Sequence, residues 1–567
     1  MLAARHLTLL FAVALAAGAC ATQGPPLKEL ASDQTLRLAI PSDISSLEPL
    51  DPAQISDPLA YAIGSNVFGG LYRYDDDLRL RPDIAAGAPD ASPDRRTYTF
   101  HLVQNAAFSN GDPVTSSDFV YSWNRAALAS QEQNGGAADF SLGRIDGYQE
   151  IIAAYKARQP IPQLTGLSTP DSHTLMVHLT APSGSWLDGL ALPPAWLVDR
   201  KAIKDYGEAS WWTTPPGLIG TGPFQLTART PKQLLVFTAT RHWWGGSTGG
   251  LTRVELHVLS DAASQWQAYR NNSVDVLGYG VPESGSGVPE LASSLAPELE
   301  SLSRAEIRSW TLGRTEWVGF NFEAGPFSAA DGRDLRLAFS QAIDRAALAR
   351  AVCKHGWACR PATGGLIAKG LQGYLGDGAD STARFDRAKA RTTIARLDPS
   401  GLRLRGLVYT YGPARPFLAE VAENLHDQWK ANLGVDVTVH GLDTATFFIS
   451  RGRGQLNLFR GSWLADYAYP DDWFDNLFTT SAEQTSNNTG SGYSNSTLDA
   501  IVAQADLLPP DRALSGYQQA GRLLLDDSAI AVLFYYVRTE VAKPYVQGDG
   551  ANPLWDYRWT SIRILQH

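Results

Sequence analysis

Helix-like and strand-like patterns alternate through the second half of the chain, and few folds accommodate such an alternation. In Phe417–Ala431, apolar residues recur every four positions, and Gly434 follows where a helix-ending residue is expected. Val435–Val439 alternates apolar and polar residues and Leu456–Phe459 is a short apolar run, so both indicate strands. This alternation is typical of α/β folds with at least partly parallel sheets, whose ligands lie beyond the carboxyl ends of strands. The pattern therefore directs attention to Arg460–Asp472.

The rest of the chain carries the same two patterns. Tyr98–Leu102 alternates as a strand does, and Asn110–Gly111 predicts a turn. Thr115–Asp118 has the spacing of a capping box, which predicts a helix that continues through Trp123. Arg333–Leu348 places its apolar residues on one helical face and predicts a single helix. An α/β fold is therefore expected throughout the chain.

Composition narrows the class of protein. At roughly 150 residues per domain, 567 residues allow two to four domains. The net charge is −10 and no cluster of Lys or Arg occurs, which argues against a nucleic-acid-binding surface. The chain has 16 Trp, 21 Tyr and 20 Phe, which supply large buried areas and are the usual lining of small-molecule pockets.

The amino terminus predicts export. Arg5 and His6 precede the apolar run Leu7–Ala17, which is too short to cross a bilayer as a helix, and small residues then lead to Cys20. A Cys at this point resembles the bacterial lipoprotein signal. We therefore expect a signal peptide over residues 1–20, lipidation of Cys20, a polar tether over residues 21–35, and a periplasmic or cell-surface protein held to a bacterial membrane by lipid alone. A plain signal peptide with an incidental Cys is the alternative.

The two other cysteines, Cys353 and Cys359, are close in sequence. For an exported chain we expect a local disulfide between them. Two unpaired thiols, or a metal site that includes His355, are the alternatives. The acidic run Asp75–Asp77 lacks the Gly and Glu of a calcium-binding loop, and we predict no metal site.

Tests for common enzymes fail. The chain has no G-x-S-x-G nucleophile elbow and no H-E-x-x-H zinc signature. Gly365–Gly370 imitates the start of a phosphate-binding loop, but Leu371 stands where the essential Lys should be. A binding protein is favoured, and a hydrolase with a pair of carboxylates is the alternative, because such pairs leave no linear signature.

Four stretches, taken in order, resemble one known family. They are Phe108–Thr115 with Asp118–Trp123, Gly220–Phe224, Ala338–Arg345 and Trp463–Tyr467. Over about residues 36–567 the chain is similar to the extracytoplasmic oligopeptide- and dipeptide-binding proteins of ABC importers, the family 5 solute-binding proteins. The resemblance implies a periplasmic-binding-protein type II fold, with two lobes joined by a hinge and an extra domain.

The resemblance also implies the division of the chain. The first lobe would comprise residues 36–69, 197–309 and 534–567, and the second lobe residues 310–533. The extra domain would comprise residues 70–196. A ligand would lie between the lobes, which close over it.

The resemblance assigns charged residues to the two ends of a peptide. Asp466 would pair with the ammonium group; the alternative is a carboxylate that caps a helix or turn. Arg460 and Arg451 would meet the peptide carboxylate, with Arg453 as a substitute for Arg451, because Arg offers a permanently charged fork of donors. The alternative for each Arg is a solvated surface side chain.

Three aromatic residues complete the implied site. Trp463 and Tyr467 flank Asp466, and Tyr536 would supply a polar tip; core packing is the alternative for Trp463 and Tyr536. We therefore expect reversible capture of short peptides by a monomer that needs no cofactor, followed by delivery to the permease of an ABC importer. A different solute on the same fold, such as an oligosaccharide, a metal complex or a modified peptide, is the alternative ligand.

Overall fold

The structure is a computed structural model that describes residues 29–567, apart from 45–48, 133–137, 280–290, 292–293, 486–487, 549–551 and 555–556. The predicted signal peptide and Cys20 lie outside the described residues. The strands in chain order are β1 (Thr35–Ile40), β2 (Tyr72–Tyr74), β3 (Leu80–Pro82), β4 (Asp90–Ala91), β5 (Thr97–His101), β6 (Leu167–Asp171), β7 (Thr174–His178), β8 (Phe224–Thr230), β9 (Leu234–Ala239), β10 (Arg253–Val258), β11 (Val276–Leu277), β12 (Ile307–Phe320), β13 (Cys359–Pro361), β14 (Val408–Tyr411), β15 (Thr438–Gly441), β16 (Leu458–Leu464), β17 (Ile530–Ala542), β18 (Val546–Gln547) and β19 (Arg563–Ile564).

Helices connect and cover these strands. The α-helices are Pro58–Val67, Ser116–Glu132, Ala138–Leu142, Tyr148–Ala157, Trp186–Gly189, Arg200–Tyr206, Ala262–Arg270, Ala296–Glu300, Gly332–Gln341, Arg345–Val352, Arg387–Leu397, Pro416–Leu433, Thr444–Gly452, Asp471–Trp473, Thr480–Thr485, Ser496–Asp506 and Pro510–Asp526. A π-helical turn, Phe474–Phe478, follows Asp471–Trp473 directly. Within the described residues, no helix combines the length and apolar character needed to cross a membrane.

One mixed sheet runs through the molecule. Its strand order is β15–β14–β16–β12–β17–β11–β1–β10–β9–β8, and β13 pairs with β17 outside this row. β14 lies parallel to β15 and β16, and β1 lies parallel to β10 and β11. The predicted α/β fold with a partly parallel sheet is therefore confirmed.

Two long strands, β12 and β17, lie at the centre of this sheet and pair with each other in antiparallel fashion. Their register shifts between Thr311 and Thr315. In that interval the N–H of Gly313 donates to the carbonyl of Pro553 at 2.7 Å, and its carbonyl accepts from the N–H of Ala465 at 2.9 Å. The predicted lobe boundaries, at 309/310 and 533/534, fall inside these two strands, so both predicted lobes would share them.

Residues 71–197 contribute most of a separate apolar core. Its sheet has the strand order β4–β5–β7–β6, and its core includes the fully buried Trp123 and the buried Trp186. A second core is made by residues of 312–536, around Phe339 and Trp429. The division into domains given above is consistent with these clusters and stays a prediction.

Most of the local predictions hold. The helix Pro416–Leu433 ends at Gly434, which has φ 76° and adopts the left-handed conformation. The helix Ser116–Glu132 begins where the capping box predicts, and the carboxylate of Asp118 accepts from the backbone N–H of Thr115 at 2.7 Å.

The single helix predicted over 333–348 is wrong at its centre. The structure has two helices, Gly332–Gln341 and Arg345–Val352. Asp344 starts the second helix because its side chain accepts from the N–H of Ala347 at 2.9 Å. The apolar face continues across the break, and for that reason periodicity alone does not reveal it.

Candidate functional site

The candidate site lies at the carboxyl end of β16. This strand is antiparallel to β12 and parallel to β14, and the chain leaves it at Leu464 toward a largely buried segment, residues 465–478. The sequence analysis predicted a ligand site here because the carboxyl ends of strands are left uncovered by their connecting helices. The position is consistent with that expectation.

Asp466 is a recessed carboxylate that has no counter-charge among the residues that the structure describes. Its backbone N–H donates to Asp472 at 3.2 Å, but its carboxylate makes no hydrogen bond or ion pair with any residue that the structure describes. It remains partly exposed. Burial raises the pKa of Asp466 to about 7. Such a group is suited to bind a cation, because the cation would restore the stability of its charged form.

Asp472, which the sequence analysis did not single out, organises the Asp466 loop. It is fully buried and accepts hydrogen bonds from the indole of Trp463 at 3.0 Å and from the amide of Asn476 at 3.2 Å. Burial and the negative charge of Asp466 raise the pKa of Asp472 well above its usual range. The orientation of Trp463 is therefore set by a hydrogen bond, which a purely apolar packing role would not need.

Tyr467 contacts a residue of the predicted extra domain. Its ring packs on Phe140 with centroids 5.7 Å apart. Next to it, the hydroxyl of Tyr74 donates to Asp188 at 2.8 Å and accepts from the N–H of Ala468 at 3.3 Å. The structure thus places Tyr467 at a contact between two parts of the chain that are far apart in sequence.

Arg460 is engaged in an internal ion pair. Its guanidinium donates to both carboxylate oxygens of Glu316, at 2.7 and 2.9 Å, and to the carbonyl of Gly412 at 3.0 Å. Glu316 is fully buried and also accepts from the hydroxyl of Tyr536 at 2.9 Å. The sequence analysis did not anticipate this pair, and it leaves the charge of Arg460 balanced within the protein. The predicted contact of Arg460 with a peptide carboxylate stays untested.

Arg314 lies beside this ion pair. Like Asp472 and Glu316, it was not singled out by the sequence analysis. Its guanidinium stacks over the ring of Tyr536 at 4.7 Å, and its Nε donates to Ser462 at 3.0 Å. A signal for Arg314 and Glu316 exists in the sequence, since they are charges two positions apart directly before the run Trp317–Phe320, which has no polar side chain. Buried charges need partners, so such a pair predicts a polar network.

Arg451 lies near Arg460 but without an ionic partner among the described residues. Its guanidinium stacks over Phe447 and Phe448 at 5.4 and 4.9 Å, and one nitrogen donates to the carbonyl of Asn488. Burial, together with the positive charge of Arg460, lowers the pKa of Arg451 to about 10. Arg453, the substitute considered above, is exposed.

Cys353 and Cys359 form a disulfide in the structure. Cys359 begins β13, where it pairs with Tyr536 of β17. The disulfide therefore fixes a short strand against the one that carries Tyr536, next to the Glu316 network.

Comparisons with known proteins identify the family of the chain. Residues 79–485 match the model of the bacterial extracellular solute-binding proteins, family 5. The chain is 27% identical over 568 residues to the periplasmic oligopeptide-binding protein OppA of Escherichia coli, covering 98% of this chain and 97% of that protein. It is 26% identical over 565 residues to the periplasmic murein peptide-binding protein MppA of the same organism, covering 96% of each.

Solved structures support the fold. The unliganded open form of MppA superimposes with a TM-score of 0.80 at 24% identity, covering 96% of this chain and 99% of that structure. OppA of Burkholderia pseudomallei gives a TM-score of 0.69 at 23% identity, covering 95% and 100%. The chain belongs to the bacterial extracellular solute-binding proteins of family 5.

Proposed function

We propose that this protein captures short peptides outside the cytoplasm and delivers them to an ABC importer. The names of its relatives support a peptide ligand, since OppA is an oligopeptide-binding protein and MppA a murein peptide-binding protein. The observation that carries the proposal is Asp466, a recessed and partly exposed carboxylate without a cation. Every unmodified peptide offers the missing charge at its amino terminus.

The opposite charge lies toward the other end of the same segment. Arg460 precedes Asp466 by six residues, which in an extended chain is about 20 Å at roughly 3.3 Å per residue. This span is the largest separation that the two residues can have, so the opposite charges lie within reach of the two ends of a short peptide. The site therefore suits short peptides whose two ends carry opposite charges.

Arg451 is the stronger candidate for the peptide carboxylate. Glu316 already balances the charge of Arg460, whereas Arg451 makes no ion pair with a described residue and lies near enough to Arg460 to have its pKa lowered. A carboxylate placed beside Arg451 would remove this repulsion. Arg460 and Tyr536 would then hold the Glu316 network in place beside the ligand.

The walls of the site are aromatic. Trp463 is partly exposed and is oriented by Asp472, and Tyr467 packs against Phe140. Aromatic walls accept many side chains, because apolar contact is non-directional. Recognition of the charged ends together with tolerant walls would allow peptides of varied sequence to bind.

We further propose that the protein is a monomer without a cofactor, and that lipid on Cys20 holds it at the membrane where it meets the permease. Capture requires no covalent chemistry. Contacts from one ligand to both lobes favour the closed form, which the permease would recognise.

The test is calorimetric titration of the protein after denaturation, dialysis and refolding, which remove copurified ligand. Trialanine and pentaalanine are expected to bind, whereas the amino-acetylated and the carboxyl-amidated forms of each lose affinity. Equal affinity for free and acetylated peptides would contradict the role of the ammonium group. Tight binding of a maltooligosaccharide with no binding of any peptide would replace the proposal by a different solute.

A further inference from the structure

Three carboxylates converge close to Asp472, and Asp466 is not among them. Asp471 lies in the short helix Asp471–Trp473, Asp475 in the π-helical turn that follows, and Asp506 at the end of Ser496–Asp506. One oxygen from each lies within 4.8 Å of the others. Ca²⁺ binds oxygens at about 2.3–2.6 Å, so two ligands on opposite sides of the ion are about 5 Å apart. The three oxygens therefore fall within one coordination shell.

The positive charge available in the protein does not balance these acids. Burial raises the pKa of Asp471 to about 7 and also raises the pKa of Asp475 and Asp506. Arg144 is the one cation that acts on Asp475 and Asp506, and within the described residues it makes no ion pair with either. Charges taken out of water without a partner are strongly unfavourable.

Two buried polar atoms beside the cluster lack a partner among the described residues. Tyr469 is 1% exposed and its hydroxyl makes no hydrogen bond. Asp471 is 4% exposed; one carboxylate oxygen accepts from the hydroxyl of Ser185, and the other is within hydrogen-bond distance of no described group, although the Tyr467 hydroxyl lies close enough to influence the pKa of this carboxyl. The hydroxyl of Tyr469 and the backbone carbonyl of Asp506 each lie 3.3 Å from the position of a Cβ built on Gly184, so this hydroxyl lies beside Asp506.

The surrounding backbone contributes further oxygen atoms. A Cβ built on Gly184 would lie 2.7 Å from the carbonyl oxygen of Leu508 and 3.3 Å from both the carbonyl oxygen of Asp506 and the hydroxyl of Tyr469. The closely packed donors are therefore all oxygens, and no His or Cys belongs to the described cluster. Oxygen-only donor sets select hard cations over zinc and copper.

We propose that Asp471, Asp475 and Asp506 bind a Ca²⁺ ion, with the Tyr469 hydroxyl beside it. Ca²⁺ is favoured over Mg²⁺, because Mg²⁺ demands near-ideal octahedral geometry and retains its waters, whereas Ca²⁺ accepts the irregular arrangement of a π-helical turn. The site is separate from the peptide pocket, since Asp466 is not a member of the cluster. The proposal does not depend on the identity of the transported solute.

The ion would fasten Asp506 to the segment of residues 471–475, next to a contact that this region makes with the predicted extra domain. Ser185 and Gly184 belong to the predicted extra domain, and they reach across to Asp471 and to the carbonyl of Asp506, the latter at 2.8 Å. Arg95 of the same region donates to the carbonyl of Leu507 at 3.0 Å. A cation at this junction would add its bonds to these contacts, so binding should stabilise the native state.

The experiment uses the full chain dialysed against EDTA at pH 7.5 and then titrated with CaCl₂ or MgCl₂. Elemental analysis is expected to find one Ca²⁺ per chain, and Ca²⁺ is expected to raise Tm. Asp475→Asn and Asp506→Asn should each weaken Ca²⁺ binding by roughly tenfold or more, because affinity follows the number of charged ligands. The matched control is Asp83→Asn, which removes a recessed acid outside the cluster and should bind Ca²⁺ as the wild type does.

The variants also separate a cation site from a merely structural role. Without metal, Asp475→Asn relieves repulsion and should be at least as stable as the wild type, yet its Tm should no longer respond to Ca²⁺. If neither Ca²⁺ nor Mg²⁺ changed the Tm or the metal content of the wild type, the proposal would be overturned. Protons shared among the three carboxylates would then explain how their charge is neutralised. Loss of Ca²⁺ binding in Asp83→Asn as severe as in Asp475→Asn would also overturn the assignment.

Discussion

Replacing Asp466 by Asn retains the size of the side chain and removes its charge. The carboxylate is recessed and has no cation among the described residues, so a bound ammonium group would be its only close counter-charge there. Losing one partner of a desolvated charge pair costs about 2–5 kcal/mol. Since about 1.4 kcal/mol corresponds to tenfold, the Kd for a free peptide should rise by roughly 30- to 5,000-fold.

The pH dependence gives a second and independent measure of the same contact. The pKa of Asp466 is about 7 without ligand, and an ammonium group stabilises the charged form, so the complex binds fewer protons than the free protein. Affinity should therefore fall as pH drops below about 7, by up to tenfold per unit. It should also fall above about pH 8, where the peptide amine loses its proton.

The assay is isothermal titration with trialanine between pH 5.5 and 8.5, repeated with the amino-acetylated peptide. The Asn variant should bind both peptides weakly and should lack the acidic limb of the profile. Asp436→Asn, which removes an exposed acid, is the matched control. The reasoning is refuted if Asp466→Asn weakens the free and the acetylated peptide equally, or if the acidic limb persists in the variant.

Three further predictions concern stability. Glu316→Gln leaves Arg460 buried without its counter-charge, so the free energy of unfolding in urea should fall by about 3–5 kcal/mol. Adding Arg460→Met should recover most of this loss. If the effects of the two substitutions simply added, the ion pair would not be the cause. Replacing Cys353 and Cys359 by Ser removes the cross-link that closes a short loop, which should lower the free energy of unfolding by about 2 kcal/mol. Tm should therefore fall and become insensitive to reductant, and an unchanged Tm would contradict this. Trp123→Ala leaves a cavity at a fully buried position and should lower the free energy of unfolding by about 3–5 kcal/mol, measured by calorimetry. A loss below about 1 kcal/mol would contradict this and show that the core of residues 71–197 closes the cavity.

Local patterns predicted much of the fold because they report local physics. The apolar spacing of Pro416–Leu433 and the Gly that ends it are enough to specify a helix. The helix predicted over 333–348 failed at Asp344, where a side chain that caps a helix outweighs a continuous apolar face. The apolar periodicity indicates which face of a helix is buried, but it does not indicate whether one helix or two provide that face.

The candidate site was predictable in position and only partly in contacts. Asp466 follows a strand, and the end of a strand is a general place for a ligand. The partner of Arg460, by contrast, lies 144 residues away in sequence, and only the antiparallel pairing of β12 with β16 brings Glu316 to it. Charges inside an apolar strand signal that a partner exists, but they do not identify the partner.

The position of β17 near the carboxyl end has a consequence for biogenesis. This strand pairs with β12 along one edge and with β11 and β13 along the other. Neither half of the sheet is complete until residues 530–542 have been synthesised. A nascent chain that lacks them exposes the open edge of β12, so the sheet should stay incompletely folded until synthesis is nearly finished.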